Sequence, residues 1–182
     1  GAYFFVKSFA LSGAPNQAVT VTADWVGRQV ATGTYTTNAT IPTVEEILFN
    51  KGTLYIDAAG GTFGATQKTG TFLGVDFKMS NTGWKEITTG DGQLYFSTIK
   101  QIMPEAVMSV TMENDATGVA EIAAWRAQTP RKVRIKFTGA TLTTAGGGSY
   151  TTKTLIIDAM GKWEKFGGLD DDDGDDTVTG DM

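Results

Sequence analysis

One segment restricts the possible folds more than any other. NDATGVAEIAAWRAQ, residues 114–128, carries the punctuation of a helix, while almost every other patterned stretch alternates as a strand. Asn114, Asp115 or Thr117 can cap its start, because their side-chain oxygens accept from the first free backbone N–H groups. Val119, Ile122 and Ala123 form an apolar stripe with Trp125 beside Ile122. Gly118 weakens the helix slightly. Pro130 forces Thr129 toward extended geometry and ends it, and RKVRIKFTGA follows at once. The expected class is therefore mainly β: an antiparallel β-sandwich or barrel with one flanking α-helix over about residues 115–128. The helix is expected to cover an open face or end of the sheet.

The strands are read from period-two alternation, which puts successive side chains on opposite faces. In AVTVTADW, Val19, Val21, Ala23 and Trp25 oppose Thr20, Thr22 and Asp24. In TFLGVDFKM, Leu73, Val75, Phe77 and Met79 oppose Phe72, Gly74, Asp76 and Lys78. Met108, Val110 and Met112 share a face in VMSVTME, as do Val133, Ile135 and Phe137 in KVRIKF. Weaker strands fall at 3–11, 53–57, 93–99 and 150–158. Turn-forming clusters separate them at 12–16, 58–64, 81–83, 89–92 and 145–149. Eight or nine strands at this spacing, each apolar on one side, fit an antiparallel sandwich or barrel. Residues 43–50 can make one short helical turn, and 28–41 form a long polar loop or extended hairpin.

Composition narrows the chemistry. The chain of 182 residues has no His and no Cys, which removes Ser-His-Asp, Cys-His and zinc-hydrolase machinery together with disulfides. A net charge of −5 argues against general nucleic-acid affinity, which needs clustered Lys and Arg. No apolar run is long enough for a transmembrane helix, and no leader pattern opens the chain. The chain does not begin with Met and reads as a processed chain or a fragment of a longer one. Two regions are expected: a β-sandwich domain over 1–166, then an acidic loop and the start of a further strand over 167–182.

Several constellations are candidate sites. Seven of the 16 residues from Gly167 onward are Asp. Asp171, Asp173 and Asp175 alternate around Gly174, but the EF-hand ligand pattern fails, so the 170–176 run reads as a solvated loop. Thr177–Val178–Thr179 then begin a strand that the chain does not finish. Lys132, Arg134 and Lys136, with Arg131 adjacent, form a basic row, read as a solvent-facing strand face or as a match for an acidic neighbouring subunit. Gly60–Gly61–Thr62–Phe63–Gly64 is a turn, since no βαβ unit surrounds it, and Gly146–Gly147–Gly148 lacks the Lys of a phosphate loop. Nothing places Glu45 with Glu46, or Asp24 with Asp57, at glycosidase spacing. Asn38–Ala39–Thr40 fits a glycosylation sequon and carries no weight. Trp25 is in phase with a core face, whereas Trp84, just after a turn, is the tryptophan expected to be exposed. No catalytic residue, cofactor or metal ligand is assigned, and the chain is not expected to be an enzyme.

Four segments carry a family resemblance: VTVTADWVGR (19–28), IPTVEEILFNKGTLYID (41–57), EIAAWRAQTPRKVRIKFTGA (121–140) and SYTTKTLIIDAMGKWEK (149–165), the last followed by an acidic turn and a new strand. Their order resembles that of the major tail tube proteins of long-tailed bacteriophages. The resemblance implies a β-sandwich or small barrel with one helix, assembled as hexameric rings that stack into a tube for DNA. It also implies a virion protein made in the bacterial cytoplasm. Its partners would be its own copies, a tape-measure protein, and tail-terminator and baseplate proteins. DNA would pass through without specific binding, helped by an acidic lumen. Residues 28–41 would be an inter-subunit or lumen hairpin. Members normally continue with a closing strand after the acidic turn, and some have a substantial N-terminal half, which this chain is read as lacking. The competing expectation is an adhesin-like or carbohydrate-binding β-sandwich with exposed aromatic residues as its platform.

Overall fold

The computed structural model describes residues 4–28, 33, 45–90, 92–144, 150–172 and 174–182. In chain order its elements are β1 (Phe4–Gly13), β2 (Thr20–Gly27), a 3-10 turn (Phe49–Lys51), β3 (Gly52–Ala58), β4 (Gln67–Lys68), β5 (Phe72–Asn81), β6 (Trp84–Ile87), β7 (Thr98–Gln101), β8 (Glu105–Glu113), α1 (Ala116–Arg126), β9 (Arg131–Thr141), β10 (Thr152–Gly161), β11 (Lys165–Phe166), β12 (Asp170–Asp172) and β13 (Asp175–Asp181). Among the described residues the molecule is mainly β, with antiparallel sheets and a single α-helix, consistent with the expected β-sandwich. One sheet has the order β11-β13-β8-β5-β1-β2, with β12 also on β13; a second runs β10-β9-β3-β4; β6 and β7 form a separate two-stranded ribbon. No helix among the described residues is long and apolar enough to cross a membrane.

Two compact units divide the chain: Gly1–Leu11, Val21–Val44 and Phe77–Val107 in the first, and Ser12–Thr20, Glu45–Asp76 and Met108–Met182 in the second. The second unit holds most of the core. Leu54 and Ile56 of β3 stand opposite Ile135 and Val133 of β9, so one alternating face of each strand is buried. Val75, Met108, Val110, Met112 and Val178 supply further buried apolar side chains. Phe49, in the 3-10 turn, lies 4.7 Å from the Phe72 ring and 6.3 Å from the Phe137 ring, which anchors the turn expected within 43–50. Residues 43–44 of that expectation lie outside the described residues.

The helix forms where the sequence places it, but its buried face differs. Asp115 is the cap, its carboxylate accepting from the backbone N–H of Thr117 at 2.7 Å and of Gly118 at 3.0 Å. The buried positions are Gly118, Glu121 and Ala124, while Val119 of the expected stripe is exposed. Gly118 decides this rotation. A Cβ there would stand 2.5 Å from the Glu113 carbonyl oxygen and 3.1 Å from Val178, so only glycine lets the helix approach so closely. The residue expected to weaken the helix is therefore the one that seats it.

The C-terminal segment also departs from expectation. Asp170–Asp172 and Asp175–Asp181 pair as β12 and β13, so the acidic run is the tip of a hairpin. The strand expected to begin at Thr177 spans Asp175–Asp181, antiparallel to β8, with Val178 opposite Met112. Val178 and Thr177 are buried, which makes β13 an inner strand of its sheet.

The remaining differences concern edges. Trp25 is 65% exposed, not packed in a core, because β2 is the end strand of its sheet. The strand expected over 93–99 is replaced by β7, and its partner β6 lies between the expected turns of 81–83 and 89–92, where no strand was expected. The expected hairpin of 28–41, the sequon at Asn38 and the 146–148 glycines lie outside the described residues, apart from Arg28 and Gly33.

Candidate functional site

The basic row of β9 is not a bare solvent face. Arg134 stands opposite Asp158 of β10 and donates from Nε to Oδ1 at 2.6 Å and from Nη2 to Oδ2 at 2.7 Å. This hydrogen-bonded carboxylate raises the Arg134 pKa above its ordinary value, against the opposing effect of burial. Lys132 donates to the Gly61 carbonyl at 2.6 Å, and its Nζ lies 5.2 Å from the Phe63 ring. The Gly60–Gly64 turn is held over these cations by Asp57. Burial alone would raise the Asp57 pKa. Hydrogen bonds from the Thr66 side chain and from the backbone N–H groups of Thr66, Gly64 and Ala65 outweigh it and leave the pKa lowered. Asp57 is thus a loop anchor.

Arg131, the neighbour of that row, reaches into the second unit's core. Its Nε donates to Glu121 Oε2 at 2.9 Å, and the same oxygen accepts from Trp163 Nε1 at 3.0 Å. Glu121 is only 3% exposed and Trp163 is fully buried. A glutamate in the apolar helix segment gave no sign of this role by spacing. The triad ties α1 to β9 and to the chain just before β11, and Trp125 Nε1 adds a bond to the Glu164 carbonyl at 3.2 Å.

Glu45 and Glu46 do not form an acid–base pair. Glu45 accepts from the Ala140 backbone N–H at 2.8 Å and pairs with Lys153 at 3.2 Å and Lys51 at 3.3 Å, contacts that lower its pKa. Glu46 is exposed. A cleft of about 210 Å³ beside them is walled by Ile47, Phe137 and Leu155. Asp24 accepts from Ser8 Oγ at 2.5 Å. Among the described residues no group of three His, Cys, Asp or Glu is arranged to hold a metal ion.

What remains is exposed apolar surface. Along β2 only Ala23 and Val26 are half-buried, and Val21 and Trp25 stand exposed on one face. The outer edge of β2 has no strand beside it among the described residues. The β6–β7 ribbon exposes all four residues of β7. Leu94, in the connection between these strands, and Met103, just after β7, are 103% and 86% exposed. Trp84, exposed as expected, lines a cleft of about 270 Å³ with Lys7, Ser80, Asn81, Glu86 and Ile102. Comparison with protein-family models and with curated proteins finds no match to this chain.

Proposed function

We propose that this chain is a structural assembly protein, the subunit of a phage tail tube, whose copies join through sheet edges into rings that stack as a conduit for DNA. The observation that carries this reading is the β2 edge. It is eight residues long, rich in β-branched residues, exposed on most of both faces, and tipped by an exposed Trp25. An edge of this kind templates pairing with another chain, and soluble monomers ordinarily blunt it with lysine, proline or a bulge. β2 contains none of the first two. The net charge of −5 suits a conduit along which DNA slides without sticking. Its further partners on this reading are the tape-measure, terminator and baseplate proteins, and its place is the virion.

A proline at Thr22 disturbs pairing along β2. Sedimentation of the parent protein over a concentration series should show large assemblies that T22P loses while keeping its circular dichroism. A parent protein that stays monomeric throughout would refute the proposal.

A second reading rests on Trp84. An exposed indole beside Asn81, Ser80, Lys7 and Glu86 gives a sugar an apolar wall and several hydrogen-bonding groups. Glycan-array binding by a monomeric protein, abolished in W84A, would favour a carbohydrate-binding module instead.

A further inference from the structure

We propose that the β6–β7 ribbon of one copy receives the acidic β12–β13 hairpin of a second copy. The inference rests on the assembly reading above and names a contact within it. Two facts of strand register carry it.

First, Lys85 of β6 stands directly opposite Lys100 of β7. Like charges facing each other across a strand pair oppose the pairing that brings them together. Both lysines are exposed, and neither makes an ion pair among the described residues. The adjacent Glu86 is engaged by Lys7 at 2.8 Å. A two-stranded ribbon is marginal by itself, and this one carries exposed Ile99 on β7 and Leu94 in its connection. An anionic surface laid on the ribbon's lysine face would relieve the lysine pair.

Second, the hairpin has the mirror-image defect. Asp171 stands opposite Asp176, and Asp172 opposite Asp175. Six aspartates and no basic residue fall within 170–176. Without those six, the chain has 15 basic residues against 14 acidic ones, so the whole negative balance comes from this hairpin.

The two elements match in spacing as well as in sign. Opposed residues of antiparallel strands have Cα atoms roughly 4.5–5.5 Å apart whatever the strands carry. The Cα atoms of a lysine pair and of an aspartate pair on two such ribbons are therefore separated by similar distances. The ribbon and the hairpin are different surfaces of the chain, so the contact is head-to-tail. Contacts of that kind generate rings or open stacks, not closed two-fold dimers.

Charge reversal tests the contact with the intact chain. K85E/K100E and D171K/D176K are each sedimented alone and then mixed in equal amounts, with circular dichroism verifying the fold. Each variant alone should self-associate about tenfold more weakly, the sum of a few exposed ion pairs. The mixture should recover association, because the reversed ribbon of one variant then meets the reversed hairpin of the other, and the unaltered ribbon meets the unaltered hairpin. The unaltered protein gives an independent measure. Its association should weaken as salt rises from about 0.05 M to about 1 M, where screening shortens to roughly 3 Å. If the unaltered protein assembles but both folded variants assemble equally well, or the mixture recovers nothing, this contact is wrong and the assembly reading stands. If the unaltered protein never associates at any salt, both fall.

Discussion

Replacing Glu121 by alanine should cost the second unit about 3–5 kcal/mol, the range for removing one partner of a buried ion pair. The geometry explains why the loss is large. Glu121 Oε2 serves two donors, Arg131 Nε at 2.9 Å and Trp163 Nε1 at 3.0 Å. Truncation strands both. The Trp163 indole, fully buried, loses its acceptor, at about 1–3 kcal/mol. Arg131 keeps 22% of its side chain exposed, so water partly solvates its orphaned charge and the total stays inside the range. E121Q retains an acceptor oxygen and should lose less, about 2 kcal/mol, the worth of a hydrogen bond to a charged group. R131M removes the cation and leaves the carboxylate buried. The E121M/R131M double variant should recover much of either single loss, since apolar groups of similar size often replace a buried ion pair without penalty. Urea unfolding followed by tryptophan fluorescence at fixed protein concentration gives each value, and the double-mutant cycle gives the coupling. E121A within about 1 kcal/mol of the parent, or strictly additive losses in the cycle, would refute the claim that this triad locks the helix to the sheet.

Three further outcomes follow from named contacts. G118A should destabilise by about 1–3 kcal/mol, as overpacking does, although alanine is the better helix former, because its Cβ would press on the Glu113 carbonyl; a rise in midpoint temperature would contradict the seating of α1. Gln128 holds a left-handed φ of 53° at the end of the helix, so Q128G should stabilise by about 0.5–1 kcal/mol, less whatever its side-chain bond to the Trp125 carbonyl contributes; thermal unfolding measures the difference. The lowered pKa of Asp57 means that its contribution is present above the unfolded value of 3.8 and is lost as pH falls through the lower folded value; D57N should flatten stability against pH in that acidic window and leave the curve above it parallel to the parent.

Much of the fold was legible because apolar alternation and burial coincide in the second unit. Val133, Ile135 and Phe137 alternate in the sequence and are buried in the structure, and Asp115 caps the helix as its side chain allows. The failures share a physical cause. Alternation reports that one strand face is apolar but not what covers it, so Trp25 read as core when it stands exposed at an edge. Helical stripes reward large apolar residues, so Val119 outranked Gly118, whose value lies in what it lacks. Glu121 was invisible for the same reason, since its charge is balanced by Arg131, ten residues away, and its burial by Trp163 further on. The acidic run was read by repulsion alone, whereas backbone pairing and the burial of Val178 hold β13 in place.

Electron microscopy of the purified full chain tests the assembly reading most directly. Rings with a central channel, or tubes built from them, are expected in the parent protein and should be missing when β2 is broken by T22P. Uniform monomers at high protein concentration, with the fold intact, would contradict it.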